Sequence, residues 1–364
     1  MIIKEQRTQL VRRRPTLLNA ESSRVITRLH IPGDKARSKA LLDRVAKLSE
    51  DEVQHLLEAV YQDFSARHRN FRDTLQRNFE RIAEIVPDCD SLSGERRLLL
   101  GAYMTAEYSV ESAALFNPSI VPHPDQKGVP KGSRRFVMSF RATGEGHISS
   151  IEFRSGVVDE NLDIYIDAVS QYVATPEIHT DPTYDRRHFR RKLEDIGASH
   201  RVVDRLLEGL SETFTFDELK IEIEKFRSTR FRVKDKRNAI DMVLWLARSN
   251  YEVIFDPDQQ ISERVIFPVT ENERAGIEDA RFVRFVDDDQ SVNYYATYTA
   301  YNGFAILPQL LETTDFLTFK MHTLSGNAAK NKGMALFPRK INGHYVMLSR
   351  QDGVNNYIVF SDRL

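Results

Sequence analysis

Phe282-Val283-Arg284-Phe285, then Asp287-Asp288-Asp289, then Asn293-Tyr294-Tyr295-Ala296-Thr297-Tyr298-Thr299 reads as strand, turn, strand. Aromatic and β-branched residues fill both runs, and the acidic triplet punctuates them. The same grammar extends in both directions. Downstream, strands are expected over Phe316–His322, Met334–Pro338, His344–Ser349 and Tyr357–Phe360, with Asn342-Gly343 as a hairpin signal. Upstream lies Arg264–Pro268. Earlier still, Arg135–Phe140 and His147–Phe153 flank Gly144 and Gly146 as a hairpin would, and a further strand is expected over Leu162–Ala168. Many short strands at near-regular spacing imply a sandwich, barrel or propeller, and periodicity alone does not choose among them.

Two stretches break this pattern. Residues 34–107 read as helical, after an extended opening in which Val25-Ile26-Thr27 is a strand signal. Ser49 and Glu52 form a capping box, with Leu48 and Val53 placed for a hydrophobic staple. Val53, Leu56, Leu57 and Val60 then mark one helix face. Phe71, Leu75, Phe79 and Ile82 mark a second helix, and Leu98, Leu99, Leu100 and Tyr103 a third. The other stretch, about 185–248, carries Gly197 as a helix C-cap and a Thr215/Glu218 capping box; its lone Trp245 reads as core, not as a sugar-stacking platform. The expected organisation is an N-terminal extended and helical segment, 1–111, and a mainly β domain with helical additions, 112–364, interrupted by the helical insert.

Lys plus Arg is 52 against 53 Asp plus Glu, so overall charge gives no support for nucleic-acid or anionic-membrane binding. Arg12-Arg13-Arg14 is the clearest local basic patch and reads as a solvated edge or loop. The single cysteine, Cys89, has no partner for a disulfide within the chain, and its acidic neighbours in Pro87-Asp88-Cys89-Asp90 disfavour a reactive thiolate. No signal peptide and no run of membrane-spanning length is visible, so a soluble, cytoplasmic protein is expected.

A Walker loop, zinc-type Cys/His spacing and a Gly-x-Ser-x-Gly elbow are all missing from the sequence. Gly144-Glu145-Gly146 begins like a dinucleotide loop, but Ser149 stands at the third glycine position and a strand follows. What remains is a set of polar residues at strand ends: Asn117, Arg141, Glu278, Asp279 and Arg281, Tyr298, Tyr301 and Asn302, Lys332, and Arg350 with Asp352. A charge against an apolar strand is costly unless paired or exposed in a cleft, so a shared polar cleft is one reading and ordinary strand-end charges the other. As neighbours in a regular strand, Glu278 and Asp279 should point to opposite faces and not serve one bond. An ion pair between Asp279 and Arg281 is the simplest structural reading. Glycosidic cleavage would need an acid at the leaving oxygen and, across the sugar, a carboxylate or an external nucleophile such as phosphate. Lys332 and Arg350 suit either sugar or phosphate.

Phe116-Asn117-Pro118-Ser119-Ile120, Gly276-Ile277-Glu278-Asp279-Ala280-Arg281, Ala296-Thr297-Tyr298-Thr299-Ala300-Tyr301 and Leu336-Phe337-Pro338-Arg339-Lys340-Ile341-Asn342-Gly343-His344-Tyr345, in that order, resemble glycoside hydrolase family 130. That family comprises inverting β-mannoside phosphorylases and β-1,2-mannosidases. The resemblance spans roughly 112–160 and 249–364; the helical segments look like a larger branch. It implies a five-bladed β-propeller with the site at one end of its channel. It implies that Asp279 is the proton donor, acting through a substrate hydroxyl, and that Asn117, Arg141 and Arg281 face the sugar; Glu278, Tyr301 and Asp352 are the further substrate-binding candidates among the strand-end residues. Lys332 and Arg350 would hold substrate or phosphate. Ala280 replaces the family's usual proline. Tyr301-Asn302-Gly303 stands where phosphorylases of the family tend to carry an arginine, which tilts the expectation toward a hydrolase.

The strands present would build the first two to three blades, so a chain truncated at its C-terminus is expected. The implied partner is an oligosaccharide or small glycoside. No metal or organic cofactor is implied, inorganic phosphate would be a co-substrate in a phosphorylase, neither nucleic acid nor membrane is expected, and homo-oligomerisation stays open. The competing expectations are a carbohydrate-binding propeller without catalysis and an inactive fragment.

Overall fold

The computed structural model describes residues 14–86, 89–179, 183–195, 197–228, 233–303, 306–324, 326 and 328–364. Arg12, Arg13, Pro87 and Asp88, singled out above, lie outside them. Strand β1 (Val25–Leu29) is followed by helices α1 (Lys35–Ala46), α2 (Glu50–Phe64), α3 (Phe71–Glu80) and α4 (Gly94–Tyr103), then by β2 (Thr105–Ser109). β1 and β2 pair antiparallel, Val25 against Ser109, so the helices form an excursion between two strands. Helical character was expected to run to residue 107. Thr105–Ser109 is strand instead, because β1 supplies a distant pairing edge that local periodicity does not reveal.

The capping box at α2 is present: Ser49 Oγ accepts from the Glu52 N–H at 3.3 Å, and Glu52 Oε2 accepts from the Ser49 N–H at 2.7 Å. Helices α3 and α4 touch backbone to backbone. A Cβ at Gly101 would lie 2.0 Å from the Leu75 carbonyl oxygen. Gly101→Ala is therefore expected to destabilise the protein by about 1–3 kcal/mol in urea denaturation. Gly94→Ala, whose Cβ would meet nothing within 4 Å, should be neutral or slightly stabilising.

Next come β3 (Ala114–Pro122), β4 (Arg134–Thr143), β5 (Ser149–Val158), β6 (Ile164–Ile166) and β7 (Glu177–His179). The insert comprises β8 (Tyr184–Asp185), α5 (Arg186–Asp195), α6 (His200–Leu207), β9 (Thr213–Phe214), α7 (Phe216–Arg227) and α8 (Val233–Ser249). It has its own core of Phe189, Leu193, Leu206, Phe214, Ile223 and Leu246, with Trp245 packed against it as expected. Gly197, at φ +89°, closes α5: its N–H reaches Glu194 O and the Ala198 N–H reaches Leu193 O, the Schellman pattern. The Thr215/Glu218 capping box is also present.

The chain then runs through β10 (Tyr251–Ile254), β11 (Val265–Ile266), β12 (Gly276–Val286), β13 (Val292–Tyr301), β14 (Ile306–Thr313), β15 (Thr318–Thr323), β16 (Ala335–Leu336), β17 (Tyr345–Ser349) and β18 (Tyr357–Ser361). The fold is mainly β with helices. β3, β4, β5 and β6 form one antiparallel unit, β12 to β15 a second that β10 and β7 extend, and β16 to β18 a third. The first two units join through a parallel bridge between Gly276 and Ser149. β14 was not read as a strand, because Pro308 interrupts it. Pro308 faces Thr299 of β13 and lies beyond the last residue paired with β15, where a missing N–H breaks no bond of that ladder.

The main core lies between the first two units, around Phe153, Tyr294, Phe316 and Phe319; Phe153 and Phe319 stack at 5.6 Å. β12 serves two cores, sending Phe282 into this one and Phe285 against Met334, Leu336 and Met347. A charged knot ties the N-terminal segment to the sheet. Arg24 donates to Glu111 at 2.7 Å and Glu152 at 2.9 Å, and Arg154 donates to the same carboxylates at 2.5 and 3.3 Å. All four side chains are at most 3% exposed. Arg24 also donates to the carbonyls of Ser170 and Ser262.

Candidate active site

Two strands from different units meet along a seam, and each carries a one-residue irregularity at the same place. The β3–β4 register shifts between Phe116 and Ser119, and the β12–β13 register shifts between Glu278 and Arg281. Asn117 (φ +51°) and Asp279 (φ +55°) occupy these bulges in the left-handed region. Asn and Asp tolerate that region best among non-glycine residues, and such bulges commonly re-aim a side chain beside a functional site. Here they aim two side chains at each other: Asn117 Nδ2 donates to Asp279 Oδ1 at 2.6 Å. One step along the seam, the Phe282 N–H donates to Ser119 Oγ at 2.9 Å.

Arg141 completes the cluster. Its Nη2 donates to Glu278 Oε1 at 2.9 Å, its Nη1 lies 3.5 Å from Asp279 Oδ1, and its Nε donates to buried Ser149 at 2.9 Å. The guanidinium lies 5.1 Å from the Phe116 ring centroid, a cation–π contact that fixes its plane. Two expectations fail here. Glu278 and Asp279 do not point to opposite faces: the bulge breaks the period-two alternation, and both carboxylates reach one guanidinium. Asp279 pairs with Arg141 and Asn117, not with Arg281. Among the described residues, Asp279 Oδ1 is held by Asn117 and Arg141, and Oδ2 has no hydrogen bond.

The turn 331–333 borders the cluster. Lys332 Nζ lies 4.0 Å from Glu278 Oε2. A Cβ at Gly333 (φ +84°) would lie 3.7 Å from Arg350 Cδ and 3.8 Å from Arg281 Nη2, so both arginines approach that glycine. Among the described residues, Arg281 has no carboxylate partner and Lys332 has none besides Glu278. The structure thus brings Asn117, Arg141, Glu278, Asp279 and Lys332 together, with Arg281 and Arg350 at the rim. Asp352 is engaged elsewhere. Its carboxylate accepts from the backbone N–H groups of Asn355 and Val354, the Tyr357 hydroxyl and the Asn355 amide, which hold it far below the usual carboxylate range. It organises the β17–β18 turn. The Tyr301 hydroxyl donates to Gly303 O at 3.1 Å. Tyr298 is core: its hydroxyl and that of Tyr251 both donate to buried Glu273 at 3.0 Å. Burial pushes the Glu273 carboxyl up. Sequence reasoning missed Ser119 and Ser149, which lock the seam and Arg141, and Gly333. Only the Lys332-Gly333 pair ahead of a strand gave a local signal of that turn.

Residues 240–363 match a family model described as beta-1,4-mannooligosaccharide phosphorylase. Over these residues the chain is similar to glycoside hydrolase family 130. A β-1,2-mannobiose phosphorylase of Listeria innocua is 27% identical over 203 residues, which is 54% of this chain and 50% of that protein. The chain therefore spans about half the length of this curated relative. Among solved structures, a glycosyl hydrolase from Bacteroides ovatus aligns with a TM-score of 0.31 at 14% identity, covering 70% of this chain and 48% of that one. The Listeria innocua β-1,2-mannobiose phosphorylase, solved with β-1,2-mannobiose, aligns with a TM-score of 0.26 at 16% identity, covering 68% and 63%. The match to the family-130 model includes Glu278, Asp279, Arg281, Lys332 and Arg350, while Asn117 and Arg141 lie before it.

Proposed function

We propose that this chain carries the acid side of a site that cleaves β-mannosidic bonds by phosphorolysis with inversion. The observation that carries the reading is the pairing of both carboxylates on Arg141 beside the turn where Lys332, Arg281 and Arg350 converge. Inverting hydrolysis needs two carboxyl groups on opposite faces of the sugar, with room for a water between them. Glu278 and Asp279 sit side by side on one guanidinium instead. That arrangement suits one acid and an external anion, and three nearby cations suit phosphate. Asp279 protonates the leaving oxygen, directly or through a sugar hydroxyl, as the C1–O bond breaks. A phosphate oxygen bonds to C1 from the other face, giving an α-mannosyl phosphate and a shortened acceptor. The three antiparallel units are read as successive blades of a five-bladed propeller.

The test is incubation of the protein with β-1,2- and β-1,4-linked mannosyl oligosaccharides, with and without phosphate. Mannose 1-phosphate formed only with phosphate supports the reading. The double variant Arg281→Ala/Lys332→Ala is expected to raise KM for phosphate at least about tenfold, with a smaller effect on KM for the glycoside. The second reading is hydrolysis, favoured by Asn302-Gly303 after Tyr301. Free mannose released at equal rates without phosphate would select it.

A further inference from the structure

We propose a second anion site at the far end of the β3–β12 seam, built to hold a phosphate group, free or as a phosphomonoester. The seam that joins Asn117 to Asp279 runs on past Ser119 and Phe282. It opens into a cavity of about 490 Å³ between the end of β3, the start of β4 and the β12–β13 hairpin. Along β12, Arg284 lies five residues beyond Asp279, roughly 17 Å at 3.4 Å per residue, so this cavity is separate from the Asp279 cluster.

Its chemistry is one-sided. Arg134 and Arg284 line it, with His123, Tyr294, Thr314 and Gln126, and the described lining contains no carboxylate. Neither arginine has an ion-pair partner among the described residues. The nearest acids are occupied. Asp125 faces Arg135 at 3.9 Å and accepts the Lys127 N–H at 2.9 Å, while Asp315 accepts the N–H groups of Leu317 and Thr318 at 2.8 and 3.0 Å. His123 Nδ1 lies 2.9 Å from the Asp125 backbone nitrogen and 3.0 Å from the Asp125 carbonyl oxygen, so Asp125 can hold the neutral ring in either tautomer. Burial, the largest influence on this ring, lowers its pKa and favours that neutral form.

Two guanidiniums and the hydroxyl groups of Tyr294 and Thr314, beside the His123 ring, make a donor-rich wall suited to a tetrahedral dianion. Pro122, Pro124 and Val292 add apolar surface, and the volume falls in the range of small-ligand pockets.

The test is a titration with inorganic phosphate and, separately, with mannose 1-phosphate, followed by the His123 ring resonances in NMR and by calorimetry. The resonances are assigned by their loss in His123→Gln. Saturable shifts of the His123 signals are expected. They should persist in Arg281→Ala/Lys332→Ala and weaken at least tenfold in Arg134→Ala/Arg284→Ala, two exposed positions whose loss should leave the circular dichroism spectrum unchanged. Tighter binding of mannose 1-phosphate would identify a phosphomonoester site, and equal affinity a site for free phosphate. If the His123 signals do not move, or move equally in the Arg134/Arg284 variant, the proposal is wrong.

Discussion

Substituting Asp279 by asparagine is expected to lower cleavage of an unactivated β-mannoside by about two to four orders of magnitude, the usual contribution of a positioned general acid. The substitution is well matched to the site. Asparagine tolerates the left-handed backbone that Asp279 adopts, so the β12 bulge should survive. Its carbonyl oxygen can still accept from Asn117 and Arg141, so the cluster keeps its shape. What it lacks is a proton to give. The loss should therefore be much smaller on an aryl mannoside whose leaving group needs no protonation, and KM should change little. Steady-state kinetics on both substrates separate a missing proton from a damaged pocket. Full activity of Asp279→Asn on the unactivated substrate would remove Asp279 from the donor role.

The largest stability effect should come from Arg24, whose partner Glu152 lies opposite Phe140 in the β4–β5 ladder, next to Arg141. Arg24→Met removes one cation from a knot that is almost wholly buried, leaving Glu111 and Glu152 to share Arg154. Breaking a buried pair by removing one partner costs about 3–5 kcal/mol. Urea denaturation at constant pH should show a loss of this size. Replacing Arg187, whose pair with Glu212 is fully in solvent, should change nothing measurable. The knot also predicts a pH dependence. Burial first, then the Glu111 charge, pushes the Glu152 carboxyl up from 4.5 to about 8. Glu111 stays low: burial would raise it, but its hydrogen bond with Glu152 and the two guanidiniums outweigh that. Because the folded pKa of Glu152 lies above the unfolded one, its contribution is full below the ordinary glutamate range. It is lost as pH rises through about 8. Denaturation midpoints measured from pH 5 to 9 should fall over that interval, and Glu152→Gln should flatten the fall.

Much of this could be read in the sequence because the signals were local. The capping boxes at Ser49/Glu52 and Thr215/Glu218 and the Gly197 helix stop each involve residues within one turn, and each is present. The strand-end polar residues were also legible, since charges beside apolar runs stand out. What escaped was non-local or irregular. β2 is a strand only because β1 lies beside it. The knot joins residues whose types carry no sign of their distant partners. The relation between Glu278 and Asp279 was misread because period-two alternation assumes a regular strand. Ala280 gives no hint that an extra residue sits before it. Asp352 was grouped with the site by position, yet its oxygens serve its own turn.

The paired bulges have a wider implication. A bulge is an insertion that its strand absorbs: on both sides of Asn117 and Asp279 the ladders recover, and the phenylalanine core beneath keeps its pairing. The two reaching side chains are therefore supernumerary to the scaffold. Deleting either residue would restore an ordinary ladder and remove the Asn117–Asp279 contact while leaving a foldable sheet. A lineage could gain or lose this acid through a single codon's indel, with the surrounding strands as silent bystanders.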